Sequence, residues 1–322
     1  MTWPPYLAPA GPEADPPVPV TIGVLVTACN VAHLLPETLA SVDAQTRAPD
    51  EVVVVDDASD DDVAAAVAPW ADRVLLVPRA VRGGEGAAKN TGARALSTDV
   101  VVILDGDDAM HPRRLEALAR VCSLRPDLGI VTTEWEEFGP AAQESAWRLA
   151  DHFPTHAQRE AVLTWNFMPA PALRRDELLA AGGFDEHLRY GPDWECYVRM
   201  MLRGSQAGLV TEPLYRYRRW SGQQTADVER VLRGRVQVAE GIAGLPGLTG
   251  RDREVLARGL LDRRFELWTH ELAGGGSTRR SALRLLRAAG AGRRRRVLAG
   301  AGVVSPALAG ALVNRRTRSG SR

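Results

Sequence analysis

Between Val100 and Asp108 the chain reads VVVILDGDD: branched apolar residues, then three carboxylates within four positions, Asp105, Asp107 and Asp108. The apolar run reads as a strand buried on both faces. Carboxylates crowded at the end of such a strand repel one another. A divalent cation relieves that repulsion, because hard cations prefer oxygen ligands. In open α/β sheets, ligands bind beyond the carboxyl ends of the strands, where these acids fall. The spacing points to a metal that itself holds a phosphate ester; a solvated turn capping the next helix is the plainer alternative. Asp105 and Asp107 flank Gly106, whose bare backbone lets the chain turn so that both carboxylates can approach one ion. Such a pair suits Mg²⁺ or Mn²⁺, which takes its remaining ligands from water and substrate phosphates.

Two further acidic positions stand at element boundaries. Asp57 follows the apolar run of EVVVVDDAS directly. A carboxylate accepts hydrogen bonds only, so Asp57 suits the N–H of a uracil or guanine ring, with helix capping as the competing role. Asp193 comes after Pro192 at the start of a helical pattern, a good capping position and equally a place for a general base facing a crevice. Trp194 and Glu195 are expected beside it on the acceptor side. The loop from Arg82 to Asn90 carries Gly84, Gly86 and Lys89 in a G-x-G-x-x-K spacing. It follows the third strand, not the first, and lacks the contiguous Gly-Lys-Ser/Thr of a P-loop, so a dinucleotide or P-loop assignment does not hold.

These residues need elements to position them. Residues 20–28 read as a first buried strand, 33–44 as a helix, 51–55 as a second strand, 60–71 as a short helix and 73–77 as a third strand. A glycine-rich loop at 82–86 opens a helix through 96, and 99–104 is the fourth strand. Strands alternating with helices over some ninety residues argue for a parallel, doubly wound α/β sheet. Right-handed crossovers then bring Asp56, Asp57, Asp105, Asp107 and Asp108 to one edge. A helix at 111–123, a strand at 128–133, an irregular aromatic-rich stretch at 134–170, a helix from Asp193 to about Leu202 and two short strands near 207–210 and 213–218 follow. In the aromatic stretch, Trp135, Trp147 and Trp165 suit stacking on a sugar ring or a lipid, or filling the core. Residues 1–19 hold seven prolines and read as a disordered or extended arm. Residues 20–225 are expected to form the main domain, divided into halves at 20–108 and 109–225, and 226–322 a helical, Arg-rich extension.

The chain has 322 residues, 45% of them hydrophobic and 25% charged, ordinary for a globular protein. The net charge of zero hides an asymmetry. No Asp or Glu occurs after Glu271, while twelve Arg lie between Arg279 and Arg322, so the remainder carries twelve net negative charges. That basic tail suits an anionic membrane surface or simply solvent, and 297–313, too short and broken for a span, reads equally as an interfacial helix or as part of a solvated tail; no nucleic-acid partner is expected. Lys89 is the only lysine. Cys29, Cys122 and Cys196 are far apart, which argues against a disulfide framework or zinc site and for a reducing compartment. No secretory leader is expected from the N-terminal residues, so the chain is expected in the cytoplasm, with peripheral contact at the inner face of the plasma membrane.

Taken together, the motifs resemble those of family 2 glycosyltransferases with the GT-A fold, over roughly residues 20–225. VTIGVLVTACNVAHLLPETLASVDAQT is similar to the family's first strand and helix, with Asn30 after the strand. VVVVDDASDD resembles its second-strand acidic motif, GGEGAAKNTGARAL its G-x-x-x-A-R-N-x-G segment with Lys89 where Arg is usual, and LDGDD its metal-binding D-x-D. GGFDEHLRYGPDWECYVRM resembles the acceptor-side segment ending in a Glu-Asp pair whose Asp is the catalytic base.

The resemblance implies a nucleotide-diphospho-sugar donor, UDP first among the carriers. Its nucleotide would meet Thr27, Ala28, Asn30, Asp57, Lys89 and Asp105, and the metal Asp105 and Asp107. Asp193 would be the base, the reaction a single displacement with inversion, and the acceptor a sugar, a lipid-linked sugar or a small molecule. Two departures stand out. Pro192 replaces the usual Glu before the base. The His that the family often places after the second short strand is replaced by YRYRRWSGQQT, where Arg218 or Arg219 could bind diphosphate. The competing readings are a nucleotidyltransferase that makes nucleotide sugars and a catalytically inactive nucleotide-sugar-binding assembly protein.

Overall fold

The computed structural model describes residues 6–273, apart from 12 and 144, together with 282, 283 and 303. In chain order the first compact unit, ending at Gln223, contains β1 (Tyr6–Leu7), β2 (Ile22–Ala28), α1 (Leu35–Asp43), β3 (Glu51–Asp56), α2 (Val63–Val67), β4 (Leu75–Pro78), α3 (Glu85–Ala95), β5 (Val100–Asp105), β6 (Ala109–Met110), α4 (Arg114–Leu124), β7 (Leu128–Phe138), α5 (Gln158–Val162), β8 (Ala172–Arg174), α6 (Arg175–Ala180), α7 (Pro192–Leu202) and β9 (Gln206–Arg218). A second unit begins at Gln224 and contains α8 (Val228–Ala243) and α9 (Gly250–Ala273).

The strands form one sheet in the order β1-β9-β7-β8-β5-β2-β3-β4, with β6 paired to β9. β4, β3, β2 and β5 are mutually parallel, as are β7 and β9, while β8 runs antiparallel between β5 and β7. This is the expected doubly wound α/β architecture, with its parallel half built from the four strands legible in the sequence. Val24, Leu25, Val26, Val53, Val54 and Val100 to Leu104 are all buried, which is why these strands read as unbroken apolar runs. One face packs on α1 (Leu35, Leu39, Val42), α2 (Val63, Val67) and α4 (Leu115, Leu118, Cys122). The other carries α3, whose buried Gly86, Ala87, Ala88, Gly92 and Ala93 allow a close approach; a Cβ at Gly92 would lie 2.6 Å from Leu25 Cγ. Each large aliphatic side chain fully buried here contributes about 1.5–3 kcal/mol.

Three segments differ from the sequence reading. The short strands near 207–210 and 213–218 are one strand, β9, continuous through Pro213. It stays paired with β7 by register shifts at Thr133/Glu134 and Glu134/Trp135, and β7 correspondingly runs on to Phe138. β8 is only three residues long, too short to leave a period in the sequence. Part of the proline-rich arm is laid against the sheet: Tyr6 and Leu7 pair with Val210 and Leu209, and the Ala14 and Val18 amides donate to Leu124 O and Ser123 O. Prolines remove amide donors, so few bonds are needed to satisfy such a segment.

In the second unit Asp227 caps α8 by accepting from the Arg230 amide at 3.0 Å. α8 and α9 are bridged by Arg233–Glu271 at 2.7 Å and Arg264–Glu240 at 2.6 Å. The expected interfacial helix at 297–313 lies outside the described residues except for Val303. Among the described residues no helix is long and apolar enough to cross a membrane.

Candidate active site

Register places the site. Thr27 is paired with Asp105 and Ala28 with Asp56, so the ends of β2, β3 and β5 meet along one sheet edge. The chains that leave those strands are tied to each other at once. The Asp57 amide donates to Ala28 O at 2.9 Å and the Gly106 amide to Thr27 O at 2.9 Å. Gly106 is needed for that approach: a Cβ there would lie 2.7 Å from Thr27 O. The Thr27 hydroxyl reaches Asp105 Oδ1 at 3.4 Å.

Asp57 is 3% exposed and holds the glycine loop. Its Oδ1 accepts from the Gly83 amide at 2.9 Å and its Oδ2 from the Gly84 amide at 2.7 Å, while Arg79 Nε sits 2.9 Å from Oδ1. Helix capping falls to Asp62, which accepts from the Ala65 amide at 2.9 Å. Asn30 adopts a left-handed backbone, φ 58°, and its Oδ1 accepts from the Asp60 amide at 2.7 Å. Arg82 closes this corner with hydrogen bonds to Asp60 Oδ2 at 2.9 Å and Ala58 O at 2.8 Å. Asp60 is held below the usual carboxylate range by its hydrogen bonds from Arg82 and Asn30.

The acids after β5 part company. Asp105 stays half exposed, 3.7 Å from Lys89 Nζ. Asp108 turns inward: it is 1% exposed, accepts from the Tyr215 hydroxyl, and accepts from the Arg218 amide at 2.7 Å. Burial, then the charges of Asp107 and Asp105, push its carboxyl well above the ordinary value. Asp107 lies between these extremes. Its Oδ2 accepts from the Trp220 indole at 2.9 Å and its carbonyl from Arg218 Nε at 2.6 Å. Its carboxyl is raised by burial and by Asp105. Arg218 is therefore engaged by Asp107 O and Glu37, at 2.6 Å, and is 7% exposed; Arg219 faces Glu137 at 3.5 Å. Both guanidinium groups thus have carboxylate partners, Glu37 for Arg218 and Glu137 for Arg219, which a diphosphate would have to displace.

Helices α3 and α7 bring the remaining groups. Lys89, 3% exposed, bonds Glu85 one turn earlier and lies over the Phe184 ring at 5.8 Å. The charges of Glu85, Asp105 and Asp193 raise its pKa in spite of its burial, so it stays an ammonium. Glu85 is raised in turn by loss of water, and further by Asp193 and Asp105, with Lys89 opposing. Asp193 accepts from Asn166 Nδ2 at 2.8 Å. Trp194 and Glu195 point elsewhere. Trp194 is 5% exposed and donates to Val162 O at 2.6 Å, and Glu195 pairs with Arg199 at 2.7 Å. Neighbouring helical residues project about 100° apart, so α7 offers Asp193 while burying the next two, against the acceptor-side expectation.

The aromatic stretch gathers near this side. Trp147 is 45% exposed, stacks on His152 with centroids 5.2 Å apart, and meets Trp165 edge-on at 6.5 Å. Buried Glu134 anchors the segment by accepting from the Leu149 and Ala150 amides at 3.1 and 2.9 Å.

The donor set decides whether a cation fits. Among the described residues no three His, Cys, Asp or Glu side chains stand together as a protein cage. Asp105 and Asp107 are two neighbouring carboxylates, one destabilised by the other's charge. That set fits Mg²⁺ or Mn²⁺, which binds through one or two carboxylates plus phosphate and water, and not an ion that needs a full protein shell.

Four residues at the site carry no role in the sequence reading: Asn90, Asn166, Tyr215 and Trp220. Asn90 ties α3 to the segment before α7, donating to Phe184 O at 2.8 Å and accepting from the Phe184 amide at 2.7 Å. Asn90 had a cue as the N of the G-x-x-x-A-R-N-x-G segment, and Trp220 had one in the absence of the usual His nearby.

Comparison with known proteins agrees with this fold. The family model "Glycosyl transferase family 2" matches residues 23–182. The succinoglycan biosynthesis protein ExoU of Rhizobium meliloti is 29% identical over 212 residues, 60% of this chain and 60% of ExoU, so the chain spans less than two thirds of that relative. Two solved structures share the fold. Staphylococcus aureus TarS 1–349 in complex with UDP-GlcNAc has a TM-score of 0.64 at 16% identity, covering 93% of this chain and 92% of TarS. The mannosyltransferase PcManGT of Pyrobaculum calidifontis, in complex with GDP-Man and Mn²⁺, has a TM-score of 0.57 at 22% identity, covering 98% and 90%. Residues 23–182, with the strand-end acids they carry, place the chain in glycosyltransferase family 2.

Proposed function

We propose that this chain transfers a sugar from a nucleoside-diphosphate donor, UDP first, to an acceptor hydroxyl with inversion. The setting would be synthesis of a cell-envelope polysaccharide, glycolipid or glycosylated metabolite. One observation carries the reading: Lys89 on α3 lies 3.7 Å from Asp105 at the end of β5, and it and Glu85 also feel the charge of Asp193 at the start of α7. In this reading the base and the phosphate-side acid serve one crevice. The nucleotide-sugar complexes of TarS and PcManGT, and the polysaccharide pathway named for ExoU, support the donor class and the setting.

In this reading Asp193 takes the proton of the acceptor hydroxyl as that oxygen attacks the anomeric carbon. Asn166 fixes the orientation of the Asp193 carboxylate through the 2.8 Å bond. Asp57 places the Gly83–Gly84 loop. With three of its roughly four acceptor positions used, it retains one for a base N–H. Thr27, Ala28 and Asn30 supply the floor of that nucleotide corner. Asp105 and Asp107 would hold Mg²⁺ or Mn²⁺, which when bound neutralises a diphosphate leaving group. Lys89 keeps Asp105 in place and lowers the cost of gathering Glu85, Asp105 and Asp193.

The test is nucleoside-diphosphate release from a panel of UDP-, GDP- and dTDP-sugars with Mn²⁺, comparing the wild type with Asp193→Asn. Release by the wild type, its loss in the variant and retention of UDP affinity within a few fold are expected, with proton NMR of the product giving an inverted anomeric configuration. No release from any donor, or wild-type turnover by Asp193→Asn, would contradict the reading.

A further inference from the structure

We infer that Trp220 is a positioning residue for Asp107: its indole N–H, 2.9 Å from Oδ2, sets the orientation of the carboxylate that would receive the divalent cation. The inference rests on the metal role proposed above for Asp105 and Asp107. A carboxylate at the end of a strand rotates freely about its Cβ–Cγ bond unless something engages one oxygen. Here the indole does so, and an indole nitrogen donates only. It cannot ligate a metal, so its contribution is to hold the ligand and not to become one. Groups that orient a metal ligand in this way typically alter metal affinity 10–100-fold.

The chain after β9 is built to keep the indole there. The Trp220 amide donates to Gln223 Oε1 at 2.8 Å, and Gln223 Nε2 donates to the Tyr217 hydroxyl at 2.9 Å, closing a short turn. Gly222 lies against the ring: a Cβ at that position would fall 2.1 and 2.4 Å from ring atoms of Trp220. His33 packs edge-on at 5.6 Å. The same segment grips the acidic turn at three more points, through Tyr215 and the Arg218 amide to Asp108 and through Arg218 Nε to Asp107 O. Four bonds from one stretch of chain thus fix Asp107 and Asp108, and of the four only the indole bond reaches the Asp107 side chain.

The experiment measures Mn²⁺ binding directly, by electron paramagnetic resonance of free Mn²⁺ in the presence of UDP. The full chain is compared with Trp220→Phe, which keeps an aromatic ring and removes the donor, and with Gly222→Ala, which keeps the donor and displaces the ring. Thermal unfolding is followed in parallel. Both variants are expected to bind Mn²⁺ roughly 10–100-fold more weakly than the wild type. If Trp220→Phe does not fold, Gly222→Ala decides alone. Wild-type Mn²⁺ affinity in a folded variant overturns the positioning role while leaving the proposed activity intact. A wild type that binds no Mn²⁺ with UDP overturns the metal reading itself, and this inference with it.

Discussion

The Lys89 ammonium lies 3.7 Å from the Asp105 carboxylate, joining the first turns of α3 to the end of β5. It is the only lysine in the chain, it is buried, and three acids share its charge. Lys89→Met should leave Glu85, Asp105 and Asp193 uncompensated. A loss of about 2–3 kcal/mol in stability is expected, since breaking a buried pair is costlier than deleting both partners, and Glu85 remains partly solvated. UDP affinity should fall at least about tenfold, a change of roughly 1.4 kcal/mol. Isothermal titration with UDP and Mn²⁺ checks it; unchanged affinity in a folded variant would place Lys89 outside the donor site.

Asp57 holds two loop amides and Arg79 with one carboxylate. Asp57→Ala should cost about 2–4 kcal/mol, because partly buried donors lose their acceptor. It should also free the Gly83–Gly84 loop. Hydrogen exchange at residues 82–86 should rise more than exchange in the core of β5. Equal protection of that loop in the variant and the wild type would remove Asp57 as its anchor.

Asp107 and Asp108 both have folded pKa values above the ordinary 3.8, through burial first and neighbouring negative charge second. The sign follows from linkage. Stability from these groups is full below 3.8 and is lost as pH rises through the raised folded values. Asp99 and Asp127 act oppositely: hydrogen bonds from Thr21 and Arg125 lower them, so their contribution disappears on acidification. Comparing Tm with and without Mn²⁺ at each pH subtracts groups that the ion does not touch. Because the cation competes with the proton at Asp107, its stabilising increment should grow as pH rises above the ordinary 3.8 and through the raised folded value. A flat increment would exclude Asp107 as a ligand.

Trp147 exposes 45% of its surface beside the segment that carries Asn166. If it stacks on the acceptor, Trp147→Ala should raise the acceptor KM roughly three- to tenfold, the scale of one aromatic contact. Donor hydrolysis in the absence of acceptor should stay the same. A parallel loss of both activities would point to a packing defect in place of an acceptor contact.

Much of the nucleotide half was legible because its strands are buried on both faces. β2, β3 and β5 leave no polar alternation, and the acids that end them are abrupt. Register then did what the topology rules required, aligning Thr27 with Asp105 and Ala28 with Asp56. In the other half α4, the start of β7 and α7 were legible, but the contacts that build the site were not, for two reasons. Its decisive contacts span the chain: Trp220 reaches Asp107 across 113 positions and Tyr215 reaches Asp108 across 107, and no local period encodes such pairs. Helix rotation also separates neighbours in sequence. Asp193 is half buried at the site, but Trp194 and Glu195 turn into the fold, where Glu195 anchors Arg199 to Ala181 O and Gly183 O. The ion pair of Arg218 with Glu37 is of the same long-range kind, spanning 181 positions.

The most direct measurement is an anomalous difference map at the manganese edge from crystals grown with UDP and Mn²⁺. A single peak between Asp105 and Asp107, with the UDP phosphates beside it and Asp193 across the same crevice, is the predicted result. A peak held by other residues, or UDP bound away from the ends of β2, β3 and β5, would contradict the assignment of these acids to one sugar-transfer site.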